Sequence, residues 1–286
     1  MESKAIDAAE FRDAQHQQWD KAAVGWRKHS DYIDTAASHI SERMVELAGV
    51  TAGSRVLDVA AGYGEPSLTA ARAVGSNGKV VATDISAEML AYGRERAAAE
   101  GLENIEFVQS DAVSLDFDAD SFDAALSRWG IIFDPDGEGA AQRVRSFLQP
   151  GSRMAIASWG PPEQVPMLSI AMGTVIQRLG VSPPPPGTPG PLSRPTPAAI
   201  GGLLEGGGFS EVEVEEAEVT MRYESGEQYT MFVREIAPPV TALMADQPQE
   251  VQDETWAAIT AAADERAGSD GTIEMKNLVL LASGSA

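Results

Sequence analysis

Two features of this chain have residue types and spacing that could do chemistry. The run Val56-Leu57-Asp58-Val59 enters a glycine turn, Ala60-Ala61-Gly62-Tyr63-Gly64-Glu65-Pro66. A second apolar run, Lys79-Val80-Val81-Ala82-Thr83, ends on Asp84, twenty residues after Gly64. Glycine lets a backbone approach a ligand where a Cβ would clash. A carboxylate at the end of the next strand can accept both hydroxyls of a ribose. Together they predict a nucleoside-containing cofactor. The dinucleotide fingerprint Gly-x-Gly-x-x-Gly is incomplete, because Gly62-Tyr63-Gly64-Glu65-Pro66-Ser67 puts serine in the third place. Pro66 also removes an amide that a pyrophosphate would use at a helix N-terminus. No Tyr-x-x-x-Lys pair is available to protonate a carbonyl.

These residues need a scaffold, and the apolar periodicity supplies one. Phe11 to Val50 reads as helices, with Gly49 as a stop. Strands are expected at Arg55–Val59, Lys79–Thr83, Ile105–Val108, Phe122–Ser127 and Arg153–Ser158. Helices alternate with them: one from about Pro66 to Gly75, Ala87–Ala99, and Ala140–Leu148. Such alternation predicts a parallel, doubly wound α/β sheet with helices on both faces and right-handed crossovers. Ligands then bind beyond the carboxyl ends of the strands, where Ala60–Gly64, Asp84, Asp111, Ser127 and Trp159 all fall. After residue 160 the rhythm breaks. An amphipathic helix is expected over Val165–Leu179, then a stiff proline-rich stretch from Pro183 to Pro191, a helix at Pro197–Leu204, a half-exposed strand within Phe209–Thr220, a helix around Trp256–Ala267 and a last strand at Ile273–Leu281. The expected organisation is an N-terminal helical cap (1–50), a cofactor-binding core (51–160), a lid insert (161–207) and C-terminal elements completing the sheet (208–286).

The whole pattern over about residues 40–160 resembles the class I S-adenosylmethionine-dependent methyltransferases, in particular the ubiquinone/menaquinone-biosynthesis type. Their motif of an acid followed by alternating glycines reads here Asp58-Val59-Ala60-Ala61-Gly62-Tyr63-Gly64, with Ala60 in place of the first glycine. The resemblance implies a Rossmann-like seven-stranded sheet, mostly parallel with an antiparallel last strand, and S-adenosyl-L-methionine as cofactor. It further implies that Ala60, Gly62, Tyr63 and Gly64 hold the aminocarboxypropyl end, while Asp84 binds the ribose. Ile85 and Met89 would pack near the adenine, and Asp111 and Ala112 would read its edge. Ser127 and Arg128 would lie close to the sulfonium.

Methyl transfer from a sulfonium is an in-line displacement, so positioning dominates, and a base is needed only for an acceptor that must lose a proton. His29 is the candidate base. Trp26, Tyr32, Trp129, Trp159, Met167 and Met172 are candidate walls of an apolar acceptor pocket. The function expected is methyl transfer to a small apolar or aromatic acceptor. A non-catalytic cofactor-binding module and an NAD(P)-dependent oxidoreductase are the alternatives.

Composition narrows the partners. The formal net charge of −22 repels nucleic acids and anionic membrane surfaces, and the acidic residues are scattered rather than blocked. Cysteine is absent, excluding disulfides, thiolate ligands and a cysteine nucleophile. The histidines, His16, His29 and His39, show no metal-ligand spacing, so no metal is expected. No apolar run approaches a membrane span, and Met1–Asp7 lacks the basic start of a secretory signal, so cytoplasmic residence is the expectation.

Overall fold

The computed structural model describes residues 8–185 and 187–286; Met1–Asp7, read above for targeting, and Pro186 lie outside them. The parallel strands are β1 (Arg55–Val59), β2 (Lys79–Asp84), β3 (Ile105–Gln109), β4 (Phe122–Arg128) and β5 (Leu148–Trp159). β6 (Ser210–Tyr223) and β7 (Ile273–Ser285) complete one seven-stranded sheet in the order β3-β2-β1-β4-β5-β7-β6. β7 runs antiparallel to both its neighbours, as expected.

β1 and β2 are buried beyond their first residue, the pattern of strands covered on both faces. β6 lies at an edge, and its alternating glutamates keep that edge charged. One face of the sheet packs on α1 (Ala8–Leu47), α3 (Ala87–Ala99) and α5 (Pro166–Leu179), and the other on α4 (Gly137–Arg145) and α6 (Pro197–Gly206). α2 (Ser67–Val74) follows the glycine turn. The chain order reverses between β1 and β4, which opens the crevice where such sheets bind ligands. Among the described residues no helix is long and apolar enough to cross a membrane, and no cluster of three potential metal ligands occurs.

Two departures from the sequence reading matter for the site. The N-terminal region is one continuous helix of 40 residues, not several. Three helices stand between β6 and β7: α7 (Gly226–Ile236), α8 (Pro238–Met244) and α9 (Gln249–Asp264). Only α9 was anticipated. Tyr229 of α7 then pins α5, because its hydroxyl donates to the Met167 carbonyl at 2.9 Å and accepts from the Ala171 amide at 3.2 Å. Asn277 of β7 accepts from the Met167 amide at 2.9 Å, fixing the start of the same helix.

α1 and α7 cross so closely at Gly25 that an added Cβ would lie 2.0 Å from the Glu235 carbonyl oxygen. Nearby, the Trp26 indole donates to the Ile236 carbonyl at 3.1 Å. Gly25→Ala should force the helices apart and lower stability by about 1–3 kcal/mol in urea denaturation. An unchanged midpoint would mean the crossing is not tight.

Candidate functional site

The glycine turn leaves β1 through left-handed backbone at Ala60 (φ 58°), Gly62 (φ 55°) and Gly64 (φ 110°). Ala60 pays for its Cβ in this region, and space for that methyl exists because residue 130 is glycine: a Cβ there would sit 2.3 Å from the Ala60 Cβ. The turn is tied to β2 by two bonds. Ala61 N donates to Thr83 O, and Gly62 N to Asp84 Oδ2, both at 2.8 Å. Asp84 Oδ1 accepts from Ser86 N at 2.8 Å. Burial pushes the Asp84 carboxyl up to about 6, against the pull of those two amides. Asp58 lies beneath the turn, fully buried and pushed by that burial up to about 7. Its Oδ2 accepts from Ser67 Oγ at 2.5 Å, while Oδ1 has no partner.

These carboxyl ends open on a cavity of about 250 Å³. At its mouth stand Asp84, Ile85, Met89, Asp111 and Ala112, the residues expected to hold an adenosyl group, beside Gly62, expected at the aminocarboxypropyl end. Asp111 also accepts from the Ser114 amide at 2.7 Å, so it shapes its own turn. Farther in, Ala60, Tyr63 and Arg128 lead to a chamber walled by Trp26, Trp129, Trp159, Met167 and Met172. Trp129 and Trp159 stack with ring centroids 4.4 Å apart and 4° between planes. Trp129 is held at φ 55°, an unusual conformation for a bulky side chain, and its buried Nε1 has no partner.

Four expected site residues stand apart from the cavity. Gly64 turns away beneath it, against Leu68 and Gly93. Ser127 is fully buried, its Oγ accepting from the Ile131 amide at 3.0 Å, so it braces the loop after β4 instead of facing a ligand. Tyr32 bonds the backbone of Arg222 on β6, donating to O at 2.6 Å and accepting from N at 2.8 Å. His29 pairs with Glu235 at 2.5 Å and stacks edge-on against Phe232, outside the cavity lining. In one straight helix successive residues turn by about 100°, so Trp26 and Ile33 share a stripe that His29 and Tyr32 leave by about 60° and 120°.

The same stripe supplies wall residues the sequence reading left out. Arg12, Trp19, Trp26 and Ile33 recur every seven residues along α1, and all line the cavity. Trp26 was an expected wall, and the seven-residue repeat is the signal that finds Arg12 and Ile33 in line with it. Phe232, Ile236 and Val240 form the roof, from helices that the sequence reading did not place. A helical spacing of apolar residues between Gly226 and Pro238 is the signal for them.

Residues 36–175 match the ubiE/COQ5 methyltransferase family. Over those residues, just under half of its length, the chain is similar to that family. A curated relative, the ubiquinone/menaquinone biosynthesis C-methyltransferase UbiE of Hahella chejuensis, is 34% identical over 146 residues, covering 50% of this chain and 59% of the relative. The chain thus spans just over half the length of that relative. Among solved structures, the YcgJ protein of Bacillus subtilis superposes with a TM-score of 0.58 at 20% identity, covering 86% of this chain and 98% of that one. The [4+2]-cyclase SpnF superposes at 0.55 and 19% identity, covering 88% and 82%. Both likenesses show the fold.

The family uses S-adenosyl-L-methionine, and the residues present fit it. A buried carboxylate with no cation partner closes β2, a left-handed glycine turn faces it, and both open on one cavity. Ribose hydroxyls donating to Asp84 favour its charged form, so ligand uptake is coupled to loss of its proton. His16 and Asp20 of α1 also act on this carboxyl, the first lowering and the second raising its pKa. In the free protein the raised pKa gives Asp84 a stabilising contribution that is complete below about pH 4 and lost as pH rises through about 6. S-adenosylhomocysteine affinity should therefore hold above pH 7 and be about tenfold weaker at pH 5. Titration calorimetry on wild type and Asp84→Asn checks this. The variant should bind weakly with a flatter profile, and a wild-type affinity that rises toward pH 5 would contradict the assignment.

Proposed function

We propose that this protein is an S-adenosylmethionine-dependent methyltransferase acting on a small, apolar or aromatic organic acceptor. The observation that carries the reading is a continuous cavity, in which the Asp84 and glycine-turn mouth passes without interruption into the chamber of Trp129, Trp159 and Met167. A module that only bound the cofactor would have no need of the inner chamber. The SpnF likeness is a reminder that fold alone does not select the reaction, so the argument rests on the site.

S-adenosylmethionine, when bound, supplies an electrophilic methyl. The chain supplies position and enclosure. Asp84 holds the ribose, the Gly62 turn the aminocarboxypropyl end, and Asp111 and Ala112 read the adenine edge. The Trp129–Trp159 stack offers a flat wall on which a planar acceptor can lie. α1, α5 and the α7–α8 roof enclose the chamber, which favours reaction by excluding water. The lid expected from the insert is therefore shared. Met167 and Met172 come from α5, Pro191 and Leu192 from the proline-rich stretch, and Phe232 and Ile236 from the second insertion. Methionine lining lets such a chamber adapt to acceptors of irregular shape. The quinone-type acceptor in the UbiE name is one member of the class this chamber suits.

Labelled-methyl transfer to a panel of phenols, organic acids and isoprenoids tests the activity. Asp84→Ala should lower kcat/KM for S-adenosylmethionine by about 30-fold or more, a loss of about 2 kcal/mol of binding. His29→Ala should leave kcat within about twofold, because its imidazole is spent on Glu235 outside the cavity. A collapse of turnover in His29→Ala at unchanged stability would restore it as the base.

A further inference from the structure

We propose that the acceptor is an acid that reaches the chamber already deprotonated, a planar and largely apolar molecule whose oxyanion lies against the guanidinium of Arg128. The inference rests on the methyl-transfer reading above and narrows its substrate class. Arg128, the last residue of β4, is 6% exposed and lines the chamber. Its Nη1 donates to Ser41 Oγ at 2.9 Å and its Nη2 to the Tyr63 hydroxyl at 3.0 Å, and both partners are neutral. Among the described residues it forms no ion pair.

The acids around it are engaged elsewhere. Asp34 of α1 accepts from the Tyr63 hydroxyl at 2.8 Å and pairs with Arg96 of α3. Glu65 of the glycine turn accepts from Thr69 Oγ1 at 2.7 Å and faces Arg72 at 3.6 Å. Asp58 of β1 accepts from Ser67. A guanidinium stays charged throughout the physiological range. Here it stands beside an apolar chamber, its direct partners two hydroxyls and the rings of Trp129 and Tyr63, with Glu65 and Asp34 acting on it only through space; a buried cation with no carboxylate in contact is a costly arrangement. An anion delivered by the ligand offsets that cost.

The chamber also holds no group suited to remove a proton. Beyond Asp84 and Asp111 its titratable lining residues are Arg12, Tyr63, Glu65, Arg128 and Asp134, and Asp134 is paired with Arg12 at 3.2 Å. Burial pushes the Tyr63 phenol far above its usual range, so it stays protonated. Glu65 is turned toward Thr69 and Arg72, and His29 lies outside. An acceptor that is ionised in water needs no base. Methyl transfer to such an anion forms one bond from its lone pair to the methyl carbon and breaks the carbon–sulfur bond, whose electron pair leaves with sulfur. The anionic and sulfonium charges cancel, and no proton moves. A charge-cancelling displacement gains from water-poor walls. Carboxylic acids, enols of 1,3-dicarbonyl compounds and acidic phenols form this class.

Calorimetric titration of the protein loaded with S-adenosylhomocysteine compares 2-naphthoate with its neutral isostere 2-naphthamide at pH 7.5. Wild type should bind the carboxylate at least about tenfold more tightly. Arg128→Gln should abolish that preference, and Arg128→Lys should keep part of it. Equal affinity of wild type for the two probes would overturn the substrate class. If Arg128→Gln weakened S-adenosylhomocysteine and not naphthoate, the guanidinium would belong to the cofactor's carboxylate and the proposal would fall. Should Arg128→Gln not fold, the wild-type preference and the Arg128→Lys response still decide. Failure of wild type to bind S-adenosylhomocysteine at all would sink the methyltransferase reading instead, so the two failures are distinct.

Discussion

The site depends on the hydrogen bond from the Gly62 amide to the Asp84 carboxylate, one of the two that tie the turn to β2. It joins the exits of two adjacent strands at the point where the sheet reverses its order. β1 can deliver that amide only by turning into left-handed backbone straight after its last buried residue. β2 can deliver that carboxylate only because its buried run carries one further residue, with Ser86 N holding the other oxygen. The ligand mouth is thereby part of the sheet's own geometry and not a loop laid over it, which is how a cofactor site gains rigidity. The cost is a buried carboxyl held above its ordinary range, and perturbed groups of this kind cluster at working sites.

A second set of contacts ties the cover to this mouth. Arg128 of β4, Tyr63 of the turn, Asp34 of α1 and Arg96 of α3 form a continuous polar chain beneath the N-terminal helix. Arg96 Nη1 also donates to the Tyr63 carbonyl at 3.1 Å. The helix that walls the acceptor chamber is thus anchored through the same turn that faces the cofactor, and Tyr63 is the shared post. On the far side, Lys28 and His29 of α1 meet Glu235 of α7, so the roof is fastened to the same helix.

The core was legible in the sequence because consecutive burial leaves a plain trace. β1 and the helix Ala87–Ala99 fall where read, the latter bounded by Ser86, whose Oγ accepts from the Met89 amide at 3.1 Å, and by Gly101 just beyond its end. The mouth was legible for the same reason, since strand ends in a parallel sheet converge by topology. The chamber was less so. Tyr32 and His29 are aromatic and near the right place in sequence, but the unbroken helical phase of α1 turns them toward β6 and α7, whereas Trp26 faces inward. That one helix runs unbroken through this stretch is set by packing along its length, which no local pattern displays. α7 was missed because its apolar residues are interleaved with Glu227, Arg234 and Glu235, and α8 because it is short and opens on Pro238-Pro239; only the folded chain brings Phe232 and Ile236 over the cavity. Ser127 has the right position in the chain, yet it alternates with Arg128 along β4 and so points to the opposite face.

The most direct measurement is a crystal structure of the protein grown with S-adenosylhomocysteine. It should show one ligand, with ribose hydroxyls on Asp84, adenine between Ile85 and Asp111, and sulfur directed into the chamber of Trp129 and Trp159. A ligand seated elsewhere, or one whose sulfur faces away from that chamber, would contradict the account.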